Sequence, residues 1–100
     1  MRAKRIRPIR PGAHLRDQLE GRNISLNQLS RDTRIPLSRI SAIANGKRAV
    51  TADTALRFGR YFDKSPSMWL GDQSDYDLQA AMADAGRIER EVIPAAASAA

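Results

Sequence analysis

Between Ser25 and Arg48 the chain reads SLNQLSRDTRIPLSRISAIANGKR. This segment constrains the fold more than any other, because it encodes two short helices folded around a turn too tight to let them separate. Leu26, Leu29 and Ser30 form one edge of the first helix, and Ile40 and Ile43 form one edge of the second. Arg34-Ile35-Pro36 divides them, since the residue before a proline is driven out of the α region. With Ile35 turned inward beside Leu29, Ile40 and Ile43, the residues Ser38, Arg39, Ser41 and Ala42, with Leu37 at the helix start, are left facing outward.

An exposed helix face of small and polar side chains carrying one arginine can approach base edges in a major groove. The pattern is that of a DNA-binding helix-turn-helix. It nominates Leu37, Ser38, Arg39, Ser41 and Ala42 as base-reading residues. Gln28, at the start of the first motif helix, and Asn45, Lys47 and Arg48, just beyond the second, are nominated as contacts to phosphate. The competing reading of Lys47 and Arg48 is a solvated loop, and that of Gln28 a plain surface amide.

Charge is divided unevenly around this segment. Residues 1–50 hold twelve Lys/Arg against three Asp/Glu, whereas residues 51–100 hold five against eight. Positive charge beside a reading helix is what phosphate neutralisation requires; the alternative is a solvated basic surface. The chain has no cysteine, which excludes a disulfide framework or thiolate metal site and fits a reducing compartment. No apolar run reaches signal-peptide or membrane-spanning length, so a soluble, cytoplasmic protein without membrane contact is expected. At 100 residues one domain with a single core is the working assumption.

The pattern of starts and stops predicts an all-α chain of five helices without a strand. Residues 1–10 read as a basic arm, with an extended piece over Ile6–Ile9, and residues 11–93 as the helix-turn-helix domain. Residues 94–100 read as a disordered, alanine-rich tail. The first helix starts near Pro11-Gly12, where proline is tolerated, faces inward with Leu15 and Leu19, and stops around Gly21. Asn45-Gly46 ends the third with a pair suited to a left-handed cap. Thr51 caps a fourth helix with Asp53 in its first turn, and Leu56, Gly59 and Phe62 are expected on its core edge. Ser65-Pro66 opens a fifth, whose Trp69, Gln73, Tyr76 and Ala80 share one stripe.

Arg10-Pro11-Gly12, Asn45-Gly46-Lys47-Arg48, the run VTADTALRFGRYFDKSPSMWL from Val50 to Leu70, Tyr76-Asp77-Leu78 and Arg87-Ile88-Glu89-Arg90-Glu91-Val92 together closely resemble HigA-type antitoxins of the Xre-like helix-turn-helix family. The likeness runs from about Arg7 to Pro94. It implies a five-helix repressor-like fold, a homodimer, a palindromic operator in the protein's own promoter, and neutralisation of a HigB-type toxin, a small messenger-RNA-cleaving ribonuclease. Two places depart from the family pattern. Ala13 and His14 stand where an acidic and an aliphatic residue are usual, and Gly71-Asp72 where a larger apolar residue is common.

Three function classes follow: an autorepressing antitoxin, a stand-alone repressor of the same fold without a toxin, and an enzyme. The first is favoured by the resemblance. The third is disfavoured because one histidine, no cysteine and no phosphate-cradling glycine loop leave no nucleophile and base pair, and no cofactor is expected. His14 reads as a packing or surface residue. Trp69 and Tyr76 read as core or dimer contacts rather than base-stacking rings.

Overall fold

Proline at the first position of a helix loses no hydrogen bond, and α1 (Pro11–Arg22) begins there. It ends at Asn23, whose backbone turns left-handed at φ 56°. α2 (Leu26–Thr33) starts at Ser25, whose Oγ accepts from the backbone N–H of Gln28 at 3.0 Å. α3 (Leu37–Ala44) follows Pro36. α4 (Ala52–Phe62) is capped by Thr51, which accepts from the Thr54 N–H, and α5 (Pro66–Ala81) by Ser65, which accepts from that of Ser67. Each such cap satisfies an otherwise orphaned donor and contributes about 1 kcal/mol. The computed structural model describes residues 10–95, and among these there is no strand. The arm expected over residues 1–10, Arg10 excepted, and residues 96–100 of the tail lie outside the described residues.

The five helices bury one core. Leu15 of α1, Leu29 of α2, Ile35 in the turn, Ile40 and Ile43 of α3, Phe58 and Phe62 of α4 and Trp69 of α5 are all buried. Trp69 meets Phe58 edge-on, with ring centroids 5.1 Å apart, a geometry that aromatic quadrupoles favour.

One expected core position is wrong. Leu56 is 62% exposed, and the inward face of α4 is instead Ala55, Phe58, Gly59 and Phe62. Those four fall at i, i+3, i+4 and i+7, a single stripe. Leu56 is one residue out of step with it, a rotation of about 100°. Gly59 and Phe62 are buried, as their spacing predicts.

α5 leaves the body partway along its length. Trp69 is buried, Gln73 and Tyr76 are half-buried, and Ala80 is exposed. Beyond α5 the chain continues into a 3-10 turn (Met82–Asp84) and a short α6 (Ala85–Glu91), two elements that the sequence reading left unassigned. Arg87 ties them together, with Nη1 3.2 Å from Glu91 and Nη2 3.8 Å from Asp84.

The two departures from the family pattern meet in space. His14 Nδ1 donates to Asp72 Oδ2 at 2.6 Å, with both side chains partly buried, and the imidazole lies 4.9 Å from the Trp69 ring. A polar pair thus joins α1 to α5 over the central tryptophan. The hydrogen bond satisfies both groups at a place where each is only partly open to water.

Candidate nucleic-acid interface

α3 is seated by what lies under it. Ile40 and Ile43 are buried, so the helix cannot rotate without exposing them. The turn leading into it is fixed at Arg34, which is left-handed at φ 62°, and at Ser30, whose Oγ donates to the Ile35 carbonyl at 2.6 Å. Side chains other than glycine avoid this left-handed region. Here the Arg34 N–H bonds the Ser30 carbonyl at 2.9 Å and ends α2.

The five nominated base-reading residues all lie on α3. Leu37 is 42% exposed and Ser38 is exposed, whereas Arg39, Ser41 and Ala42 are half-buried. The hydroxyls and the arginine can hydrogen-bond base edges, and Leu37 and Ala42 can meet a thymine methyl.

α3 stops in a Schellman arrangement. Gly46, at φ 75°, donates its N–H to the Ile43 carbonyl at 3.0 Å, and Lys47 donates to that of Ala42 at 2.8 Å. The far end of the loop is tied to α5, where the Gln73 side-chain oxygen accepts from the Val50 N–H at 2.9 Å. With both ends tied, Lys47 and Arg48 are exposed and their backbone is held in place. Asn45 is exposed next to them, and its side-chain oxygen accepts from Arg16 Nη2 at 2.6 Å. Gln28 stands apart from this group. It is half-buried, with its amide beside the Tyr61 hydroxyl. That hydroxyl donates to Asp32 at 2.8 Å, and burial together with the Asp32 carboxylate raises its pKa.

The basic excess is not all available to a ligand. Three arginines close the carboxyl ends of neighbouring helices: Arg16 donates to the Ala44 carbonyl of α3, Arg57 to Thr33 of α2 and Arg22 to Phe62 of α4, at 3.2, 3.0 and 3.2 Å. Cations placed there satisfy orphaned carbonyls and suit the helix dipole. Arg10 is engaged with the Tyr76 hydroxyl at 3.2 Å. Among the described residues of the basic half, Arg31, Arg34, Arg39, Lys47 and Arg48 have no side-chain partner within the chain. Sequence reasoning missed Arg16 at this surface. Arg16 reaches partners 28 and 29 residues away, and no local spacing announces that.

Residues 15–69 match the Helix-turn-helix family model, which takes in α2, α3, the loop and α4. Virulence-associated protein I of Dichelobacter nodosus is 40% identical over 77 residues, covering 76% of this chain and 71% of that protein. Among solved structures, an addiction module antidote protein of the HigA family from Coxiella burnetii is 43% identical with a TM-score of 0.80, covering 89% of this chain and 99% of that one. The antitoxin HigA of Pseudomonas aeruginosa, solved with the higBA promoter, is 40% identical with a TM-score of 0.81 over 89% of this chain and 99% of that one. Because the family match spans more than half the chain and the HigA likeness nearly all of it, the chain belongs to the Xre-like helix-turn-helix family, as a member of its HigA antitoxin group.

Proposed function

We propose that this chain is a sequence-specific DNA-binding antitoxin that represses its own operon as a dimer and neutralises a HigB-type ribonuclease toxin. The observation that carries the DNA reading is the surface of α3. Leu37, Ser38 and Arg39 project from its first turn, and the loop after it presents Lys47 and Arg48 from a backbone tied at both ends. Side chains at the start of such a helix read base edges, while those beyond its end hold the backbone. The similarity to a P. aeruginosa antitoxin solved with promoter DNA supports the same reading.

The dimer reading rests on the C-terminal arm. Leu78, Met82, Ala85, Ile88 and Val92 recur at steps of three and four, an apolar stripe. All but Ala85 are at least 45% exposed, and Ile93 beyond them is 81% exposed. Such a run of exposed apolar side chains, carried from the end of α5 through the 3-10 turn and α6 to Val92 just beyond it, calls for a partner. A second copy laid along it would bury both stripes about a two-fold axis, and a dimer that reads successive major grooves needs its two α3 helices roughly 34–36 Å apart. The operator is then an inverted repeat. The toxin reading is supported by the likeness to HigA antitoxins over nearly the whole chain.

Titration of the protein against the DNA upstream of its gene, and co-expression with the product of the adjacent gene, test the two halves of this reading. With roughly six phosphates neutralised per dimer, log K should fall with log salt at a slope of about −5, a loss of about a thousandfold between 50 and 200 mM salt. A flat salt profile would show that the basic surface serves another partner. Co-expression should yield a complex with a small basic ribonuclease, with growth restored. DNA binding without any such complex would leave a stand-alone repressor.

A further inference from the structure

Arg16 lies on α1, outside the helix-turn-helix, yet its guanidinium sits at the end of the reading helix. Nε donates to the Ala44 carbonyl at 3.2 Å and Nη2 to the side-chain oxygen of Asn45 at 2.6 Å. A guanidinium has five N–H donors and no acceptor, so the amide atom facing it has to be the oxygen. The Asn45 amide is thereby oriented, with its NH₂ group turned away from Arg16. Two of the five arginine donors are used, and the other three are free of partners within the chain. The Arg16 side chain and Asn45 are both exposed, and Lys47 and Arg48 follow in the same loop.

We propose that Arg16 and Asn45 form one phosphate clamp, in which Arg16 aims the Asn45 amide and adds its own charge to the same DNA phosphate. The assignment rests on the DNA-binding reading and deepens it. An amide already held by a planar fork loses less entropy on binding than one that must be ordered by the ligand itself. The free guanidinium donors match a phosphate oxygen in geometry and charge. Phosphate contacts of this kind set the register of the reading helix without carrying sequence information.

The test is fluorescence-anisotropy titration of the full chain with the upstream duplex and with a scrambled one, using Arg16→Ala, Arg16→Gln, Asn45→Ala and the Arg16→Ala/Asn45→Ala double variant. Arg16→Ala should weaken binding to both duplexes alike, by about tenfold, and flatten the salt slope by about two units per dimer, one charge being lost from each subunit. Arg16→Gln keeps a donor for the Ala44 carbonyl, so α3 stays closed and the fold intact, and it should show the same flattening. Asn45→Ala should cost severalfold in the wild-type background and almost nothing once Arg16 is alanine, because the amide is then no longer aimed.

An unchanged affinity and salt slope for Arg16→Gln would overturn the clamp, and so would additive losses from Arg16 and Asn45. Either result, with wild-type binding intact, leaves the DNA reading standing. Failure of the wild-type protein to bind any duplex would overturn both.

Discussion

Gly12→Ala is expected to lower the melting temperature by roughly 10–20 °C, corresponding to a loss of about 2–4 kcal/mol in a domain of this size. A Cβ at this position would lie 2.5 Å from the Ile43 carbonyl oxygen and 2.7 Å from that of Ala44. Both are backbone atoms at the end of α3, so no side chain can swing aside. α1 would have to retreat from α3, and Arg16 would lose the Ala44 carbonyl that it reaches from the next turn. DNA binding should therefore fall even at temperatures where the variant is folded. Gly21 supplies the control, since nothing lies within 4 Å of a Cβ there. Gly21→Ala should stabilise by up to about 1 kcal/mol through helix propensity alone. Calorimetry or thermal circular dichroism on the pair checks both signs, and equal behaviour of the two variants would contradict the close approach of α1 to α3.

Replacing Met82 and Ile88 together by aspartate is expected to convert a dimer into a folded monomer and to weaken operator binding by at least a hundredfold. Both side chains are about half exposed, at 55% and 45%, so in a single chain the change removes little buried area and the melting temperature of the monomer should hardly move. In a dimer it puts charges into the buried stripe, where each lacks a partner. Losing the second subunit removes the effective concentration that joins two half-site contacts, an advantage of about 10²–10⁴. Light scattering should give a mass of 11.1 kDa for the variant and twice that for the parent. A variant that remains dimeric would place the two-fold axis elsewhere on the molecule.

What could be read along the chain was what local chemistry encodes. Ser25, Thr51 and Ser65 sit one residue before helices that their side chains cap, and Asn45-Gly46 stops α3 as such pairs do. The inward set of Leu29, Ile35, Ile40 and Ile43 followed from a turn that allows few arrangements. Leu56 misled because a helix of 11 residues fits Gly59 and Phe62 onto more than one stripe, and only packing against α5 chooses between them.

Pairings across long stretches of chain carried no signal. The bond between His14 and Asp72 spans 58 residues and that between Arg16 and Asn45 spans 29. The two family departures were visible as separate oddities, but their meeting was not. Arg34 adopts a left-handed backbone without being glycine or asparagine, and the Ser30 bond to Ile35 that steadies this turn is equally invisible in composition. α6 escapes a reading of local signals because seven residues with a glycine inside them are too few to hold a helix without packing. Its apolar stripe only gains meaning once the arm is seen to stand clear of the core.

The central claim is that the outward face of α3 reads bases while the loop beyond it holds phosphate. The most direct test is the affinity of Arg39→Ala for the operator and for a scrambled duplex, measured side by side at one salt concentration. Arg39 has no side-chain partner within the chain and sits in the first turn of α3, where an arginine can fork onto guanine for roughly 1–3 kcal/mol of discrimination. Operator affinity should drop at least tenfold while affinity for the scrambled duplex stays within about twofold. A fall by the same factor on both duplexes would make Arg39 a phosphate contact and contradict the placement of the reading face.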